Sequence, residues 1–289
     1  MVNINTDDLK IAIPSDTIGV DMGHSLSKIV FFRGSEMVFT NYSTHEELSL
    51  IEEFLESKTA AHKKVNFTGG KSFKLFQTYK TKLKSQLLNE FEANVKGVEI
   101  LYLLEKKNEF PPSLIVTIGT GTSMVSTNEK IEHLGGTALG GGFFMGMIKV
   151  LFNVYDFKEA INLAKRGNRY DVDLKVSDIY DPQDNRVNMI FREFTAASLG
   201  KIDLNYNINN LKKESFITSL ICMIGENIGT IANLMADANK ISNIVFCGGF
   251  LKENKIVKSI LSLLCGVNRK KAVFLKNSEY SAAIGALFL

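Results

Sequence analysis

Short hydrophobic runs that favour β-structure form the first clear pattern along the chain. Three such runs begin at Thr17, Ser27 and Glu36, and turn residues at Gly23 and Gly34 separate them. Short β-rich runs divided by glycine turns are typical of consecutive strands joined by tight turns. The pattern therefore predicts an antiparallel meander of three strands.

A helix and a further strand are predicted after the meander. Segment 44–57 opens with Thr44, and Glu47 follows three residues later, which is the arrangement of a capping box. Hydrophobic residues then recur at helical spacing over 48–55. Residues 64–70 have the pattern of a strand that ends in a Gly-Gly turn. Three strands, a helix and a strand predict a mixed α/β domain.

The same order of elements begins again after a charged break that ends at Pro111-Pro112. A buried strand and a glycine turn follow the prolines, and a long helix with a broad apolar face is predicted from about Glu214 to Ala238. Segment 243–249 repeats the strand and the Gly-Gly turn. The sequence therefore predicts a duplicated α/β unit, with domains at residues 1–110 and 111–289.

The composition is that of an average globular protein. A length of 289 residues predicts about two domains. Hydrophobic residues make up 45% of the chain and charged residues 22%, which excludes a disordered or fibrous protein. The net charge is only +3 and the basic residues are scattered, so neither a nucleic acid nor a membrane surface is expected as a partner.

The cysteines and the apolar runs bear on where the protein works. The first ten residues, MVNINTDDLK, lack the basic start and apolar stretch of a signal peptide. No apolar run reaches the roughly 18 residues of a membrane helix. Cys222, Cys247 and Cys265 lack the spacing of a disulfide framework or a zinc site. We expect core thiols in a reducing compartment, and hence a cytoplasmic protein.

Four glycine-containing loops carry the candidate chemistry. Loop one (21–25) and loop two (118–123) follow strands as hairpin turns, whose backbone amides can form an anion-binding concavity. Loop three (134–143) precedes an apolar helix, where free amides are expected to attract an anion. Loop four (247–250) offers glycine backbone against which a flat adenine can lie.

A single glycine loop is most often an ordinary turn, but four of them at strand or helix ends predict a site for nucleotide phosphates. No Walker A pattern occurs, and no GxGxxG follows the first strand, which argues against a P-loop NTPase and a dinucleotide enzyme. Asp21 is expected to orient hydrated Mg²⁺. The predicted nucleotide-binding residues are Asp21, Gly23, His24, Ser25, Lys28, Gly119, Thr120, Gly121, Thr122, Ser123, Gly140, Gly141, Gly142, Gly248 and Gly249.

The order of these motifs resembles the actin-like superfamily of sugar kinases and heat-shock ATPases, and within it the type II (eukaryotic-type) pantothenate kinases. The resemblance implies an α/β chain with a duplicated actin-like ATPase (ribonuclease H-like) fold, in which two mixed-sheet domains surround a nucleotide cleft. The motifs that carry it are Asn89-Glu-Phe-Glu-Ala, Ile118-Gly-Thr-Gly-Thr-Ser, Gly135-Gly-Thr-Ala-Leu-Gly-Gly-Gly, Asp173-Leu-Lys-Val-Ser-Asp-Ile-Tyr, Thr195-Ala-Ala-Ser-Leu-Gly, Val245-Phe-Cys-Gly-Gly-Phe-Leu and Tyr280-Ser-Ala-Ala-Ile-Gly-Ala-Leu.

The resemblance also implies an activity, which is phosphorylation of pantothenate to 4′-phosphopantothenate by Mg-ATP, the first step of coenzyme A biosynthesis. Glu90 takes the position of the family's general base, a role that fits phosphoryl transfer. From the residues alone, Glu90 is equally well a solvated carboxylate before the helix predicted from Glu92 to Glu105. The substrate contacts implied by the resemblance are Thr120, His133, Gly135 and Ala197.

Partners follow from the same resemblance. It implies a homodimer built around the helix at 214–238, although burial in the core of one chain would give the same apolar pattern. Coenzyme A or its thioesters are implied as feedback inhibitors that compete with ATP.

Three positions depart from the family pattern. His24-Ser25 stands where the family has Gly-Thr, and His133 and Ser177 stand where the family has arginine. A guanidinium fork is matched by neither histidine nor serine, although His133 can still donate a hydrogen bond to the substrate or be an ordinary strand-end residue. Two alternatives therefore stay open, namely a related kinase of another small hydroxyl compound and a non-catalytic regulator that binds ATP or acyl-coenzyme A.

Overall fold

The computed structural model describes residues 2–3, 11–186, 189–203 and 205–289. Most of the N-terminal decapeptide in the signal-peptide prediction lies outside the described residues. The first sheet contains β1 (Val2–Asn3), β2 (Thr17–Met22), β3 (Leu26–Arg33), β4 (Glu36–Ser43), β5 (Lys64–Thr68) and β6 (Ser85–Leu87). The second contains β7 (Ser113–Ile118), β8 (Thr122–Ser126), β9 (Glu132–Thr137), β12 (Asn243–Cys247) and β13 (Lys271–Phe274), and β10 (Leu174–Lys175) pairs separately with β11 (Thr195–Ala197).

The two sheets share one topology. Their strands lie in the orders β4-β3-β2-β5-β6 and β9-β8-β7-β12-β13, and β1 adds an edge to the first sheet. In each sheet the first three strands of the unit run antiparallel and the last two pair in parallel. The prediction of a duplicated α/β unit with two mixed sheets is confirmed.

The described residues contain eight α-helices: α1 (Leu48–Glu56), α2 (Ser72–Tyr79), α3 (Glu90–Lys106), α4 (Gly141–Phe152), α5 (Phe157–Ala164), α6 (Lys213–Ala238), α7 (Lys255–Val267) and α8 (Ser281–Phe288). Helix α3 begins two residues earlier than predicted because Asn89 caps it. The Asn89 side-chain oxygen accepts hydrogen bonds from the backbone N–H groups of Phe91 and Glu92, which have no partner inside the helix.

The capping box predicted at the start of α1 is wrong. The helix begins at Leu48, four residues after Thr44, and no side chain caps it. The Thr44 hydroxyl instead donates to the carbonyl of Gly23, at 3.1 Å, and so braces loop one. The Glu47 carboxylate accepts from the backbone N–H of Ser43. The Thr44 hydroxyl is therefore bonded to a residue distant in the sequence and does not cap α1.

Helices α3 and α8 cross in the layer between the two sheets at two glycines. A Cβ atom on Gly97 would lie 1.7 Å from the carbonyl oxygen of Ser281, and one on Gly285 would lie 1.6 Å from that of Ala93. The backbones are therefore in direct contact, which only glycine allows. Helix α8 also packs on the first sheet, where Asn66 donates to the carbonyl of Ala286. The last helix of the chain thus supports the first sheet, and the domain boundary at residue 110 stays a prediction.

Helix α6 is the long apolar helix that the sequence predicts, and it begins at Lys213. It is long and apolar enough to cross a membrane, but 72% of its most apolar window is buried inside the protein, as in a core helix. Ile217, Ile224 and Ile228 pack into the core beside the second sheet, while Leu234 is 64% exposed. Most of the apolar face is therefore accounted for within one chain.

Candidate active site

A cleft of about 860 Å³ opens between the two halves, and residues from both halves line it. Every residue predicted for catalysis or nucleotide binding lines this cleft except Gly140, which adjoins it as the residue before α4. Chain segments as far apart as loop one and loop four therefore meet at one site. Their individual roles stay predictions.

Loop one carries an ion pair that is almost removed from solvent. Asp21, at the end of β2, and Lys28, opposite it on β3, are cross-strand partners, and the Lys28 Nζ atom lies 3.0 Å from Asp21 Oδ2. Burial by itself would lower the pKa of the Lys28 ammonium, but the Asp21 carboxylate raises that pKa overall. Lys28 therefore keeps its positive charge where it lines the cleft.

Glu90 faces this pair from the first turn of α3. Partial desolvation in the cleft and the negative charge of Asp21 raise the pKa of the Glu90 carboxyl, while Lys28 and a hydrogen bond from the Gly70 backbone N–H act in the opposite direction. A carboxylate with a raised pKa accepts a proton more readily than an ordinary one. This is the property that a general base needs.

Loops two and three are hydrogen-bonded to each other. The backbone N–H groups of Gly141 and Gly142 donate to the carbonyls of Gly119 and Thr120, at 2.7 and 2.9 Å. The expectation of free amides at these two positions is therefore wrong. A Cβ on Gly140 would lie only 2.8 Å from the Thr120 oxygen. The glycines of loop three therefore allow the start of α4 to pack directly against loop two.

A hydroxyl pair joins the two halves of the site. The Ser25 Oγ atom of loop one and the Thr120 Oγ1 atom of loop two lie 3.1 Å apart. Ser25, one of the departures from the family pattern, thus has a partner across the cleft. The tips of the two predicted phosphate loops face each other as a pair of hydrogen-bonding groups.

Loop four borders the apolar end of the cleft. Gly248 has φ +104°, and a Cβ on it would lie 2.4 Å from the carbonyl oxygen of Ile118, so only glycine fits there. The neighbouring wall consists of Met145, Phe157 and Phe250. A flat, largely apolar group such as a purine is accommodated by such a surface.

The substrate contacts implied by the resemblance are only partly brought to this cleft. Thr120 lines it, whereas His133, Gly135 and Ala197 are not among the described residues that do. The His133 ring instead stacks on the ring of Phe91, with centroids 4.3 Å apart and planes inclined by 15°. Phe91 lines the cleft next to Glu90, so His133 packs against a residue of the cleft wall.

The two other implied contacts lie on strands, and Ser177 lies on a short helix. Gly135 lies on β9 with φ +135°, close to Met235 of α6, and Ala197 is exposed on β11. Ser177, where the family has its second arginine, lies in the 3-10 helix Val176–Asp178. None of these three is among the described residues that line the cleft.

Sequence reasoning missed a buried polar cluster at the base of the cleft. Asn94 donates to the Thr117 hydroxyl at 2.7 Å and accepts from the Ser281 hydroxyl. The Cys247 Sγ atom lies 3.2 Å from Thr117 Oγ1. These residues come from α3, β7, α8 and β12, so no local motif could have indicated the cluster. The one available signal is Asn94 itself, a polar residue one helical turn after Glu90.

Solved structures resemble the fold at low sequence identity. The activator of 2-hydroxyisocaproyl-CoA dehydratase from Clostridium difficile, solved with bound ADPNP, aligns with a TM-score of 0.62 and 15% identity over 94% of this chain and 92% of that one. A ROK family glucokinase from Streptomyces griseus, solved with glucose and AMPPNP, aligns with a TM-score of 0.55 and 11% identity over 93% of this chain and 97% of that one. These likenesses establish the actin-like kinase fold.

Sequence comparison is closer. A protein of Bacillus cereus (strain AH820) named type II pantothenate kinase is 33% identical over 276 residues, which cover 94% of this chain and 96% of that protein. The sequence model of the Fumble family matches residues 34–289, which include Glu90 and loops two to four. The family match over residues 34–289 and the relative's name together show that the chain is a kinase of the Fumble family.

Proposed function

We propose that this protein transfers the γ-phosphoryl group of ATP to the primary hydroxyl of pantothenate. The observation that carries the proposal is the position of Glu90, which opens into the same cleft as the glycine loops and has a raised pKa. The name of the Bacillus cereus relative supplies the acceptor. The nucleotide analogues bound in the two solved relatives support ATP as the donor.

The chemistry requires that one proton and one phosphoryl group move. The acceptor oxygen forms a bond to the γ-phosphorus, the bond from that phosphorus to the β,γ-bridging oxygen breaks, and the hydroxyl proton passes to the Glu90 carboxylate. Catalysis of this kind rests mainly on positioning and on neutralising the phosphate charge. In this proposal Lys28 and the backbone of loops one and two bind the phosphates, and Glu90 of α3 is the base.

Mg²⁺ fits the residues that the cleft provides. Asp21 is a hard oxygen donor held at the end of β2, and Mg²⁺ commonly combines one or two carboxylates with water and substrate phosphates. A Cβ on Gly69 would lie 2.5 Å from Asp21 Oδ1, so the glycine leaves room around that oxygen. When bound, the ion supplies positive charge to the β- and γ-phosphates.

One observation favours a second candidate function, a kinase for a different small hydroxyl compound. His133 is stacked on Phe91 and is not among the described residues that line the cleft. At this position the site therefore lacks the guanidinium that, in the family pattern, would contact a charged acceptor. The third alternative, a regulator without activity, is less favoured because Glu90 is retained next to Asp21 and Lys28.

The acceptor is tested by measuring ADP release from Mg-ATP with pantothenate, with pantetheine, with N-acetylglucosamine and without an acceptor. Release that requires pantothenate supports the proposal. Release with another acceptor alone would show that the pocket has been retuned. Tight nucleotide binding without release in any mixture would favour the regulator.

Assembly, feedback and location belong to the same proposal. We infer a homodimer through the outer face of α6, where Leu234 is exposed and Ile231 and Met235 are partly exposed. Coenzyme A carries an adenosine moiety and would compete with ATP at loop four. The three buried free thiols suit a reducing cytoplasm.

A further inference from the structure

Asn94 is a buried polar side chain with partners on three other elements. It is 5% exposed, its Nδ2 group donates to Thr117 of β7 at 2.7 Å, and its Oδ1 atom accepts from Ser281 of α8. The same Nδ2 group lies 4.0 Å from the sulfur of Cys247 on β12. Most other buried residues of α3, such as Val95 and Val98, are apolar. A residue whose only task was to fill the core would not need an amide here.

Each partner of Asn94 is close in sequence to a loop or residue that lines the cleft. Thr117 precedes Gly119 of loop two by two residues, and Cys247 immediately precedes Gly248 of loop four. Ser281 follows Glu279 and Tyr280, and all three line the cleft. Asn94 and Thr117 line it as well. On its own helix, Asn94 follows Glu90 by four residues, so the two lie on the same face, about 6 Å apart along the axis.

We propose that Asn94 is a positioning residue that holds the first turn of α3 in register with the nucleotide loops. The inference rests on the proposed function, in which Glu90 is the base. A direct bond from α3 to the strand before loop two fixes the distance between the carboxylate and the phosphates. The bond to Ser281 fixes the same turn against the start of α8.

The physical reason for a polar connection is its directionality. Apolar contacts tolerate small sliding movements, whereas a fully paired amide and two hydroxyls in a low-dielectric interior specify one arrangement. Displacement of a catalytic group by about 1 Å can lower the rate about 100-fold. Asn94 lines the base of the cleft, and we infer that it affects the chemical step through the position of Glu90.

The test compares Asn94→Ala with a matched control, Asn233→Ala. Asn233 is also a buried helical asparagine, 2% exposed, whose amide bonds the Gly229 carbonyl and approaches Cys265, but it lies on α6 outside the cleft. We expect both variants to lose thermal stability. Only Asn94→Ala should lose kcat, by about 10- to 100-fold, while KM for ATP changes by less than about threefold.

A second variant keeps the inference testable should Asn94→Ala fail to fold. Thr117→Val keeps the shape of the side chain and removes the acceptor of the Asn94 amide, and we expect it to lower kcat in the same way. Because both changes break one bond, the double variant should lose less than the product of the two single losses. Losses in kcat that multiply independently would overturn the proposed connection.

The outcomes separate this inference from the proposed function. If Glu90→Gln keeps its turnover, the general base is wrong and the proposed function fails first. If Glu90→Gln is inactive while a folded Asn94→Ala keeps kcat within about twofold of wild type, Asn94 has only a structural role. A loss of kcat in Asn233→Ala equal to that in Asn94→Ala would contradict the inference as well, because the effect would then be general.

Discussion

The close crossing of α3 and α8 predicts that a side chain at Gly97 destabilises the protein, by an amount that follows from the distances at the crossing. In Gly97→Ala the new Cβ would lie 1.7 Å from the carbonyl oxygen of Ser281, whereas contacts below 3.0 Å are essentially never found. The two backbones would have to separate by about 1.3 Å. Overpacking of this kind costs about 1–3 kcal/mol, and both atoms belong to backbone that cannot rotate away, so we expect the upper end of that range.

Such a loss is measurable as a melting temperature. For a chain of 289 residues, with an unfolding entropy of about 2.1 cal/mol/K per residue, a loss of about 3 kcal/mol lowers Tm by roughly 5 °C. Because the shift separates the helix of Glu90 from Ser281, kcat should fall in the folded variant too. Gly266→Ala on α7 is the control, since nothing lies within 4 Å of its Cβ and the change should be neutral or stabilising by up to about 1 kcal/mol. A Gly97→Ala protein that melts at the wild-type temperature with unchanged kcat would refute this account of the crossing.

Three further predictions concern charge and burial. A raised pKa of Glu90 means that kcat/KM falls on acidification at a pH above the ordinary pKa of glutamate. Lys28→Met removes a charge that lowers this pKa, so the acid limb of its kcat/KM profile should move to still higher pH. A limb that stays in place would contradict the coupling. Asp173→Ala should destabilise the fold by about 1–3 kcal/mol, because the fully buried Asp173 carboxylate accepts from the Leu199 N–H and the Ser219 hydroxyl, which would lose their acceptor, while Arg169 keeps Glu226 as a partner. An unchanged Tm would contradict this placement of Asp173. The three buried cysteines, with thiol pKa values raised by burial (to about 12 for Cys222), should react with a thiol reagent only after unfolding, and fast reaction in the native state would contradict their placement.

Patterns within one segment made much of the architecture predictable. Strands divided by glycine turns, their repetition in the second half and the long apolar helix at residues 213–238 all depend on neighbours in the sequence. The loops of the cleft were recognisable for the same reason, because each follows a strand or precedes a helix. Residue periodicity and turn chemistry are local properties, and the sequence displays them directly.

Contacts between distant segments were not predictable in this way. Gly97 and Gly285 approach each other only because two helices that are distant in the sequence cross. The backbone N–H groups of Gly141 and Gly142 donate to carbonyls of loop two. The Thr44 hydroxyl donates to loop one and does not cap α1. In each case a partner that is remote in sequence competes with the local one, so a single sequence gives no sign of the outcome.

Comparison of wild type with Glu90→Gln tests the central claim most directly. The measurement is pantothenate-dependent ADP release at saturating Mg-ATP, with ATP affinity determined separately for both proteins. The account predicts release by the wild type, loss of release in Glu90→Gln and the same ATP affinity in both, because glutamine keeps the shape of the side chain but cannot accept the proton. Equal release by both proteins, or no pantothenate-dependent release by the wild type, would contradict it.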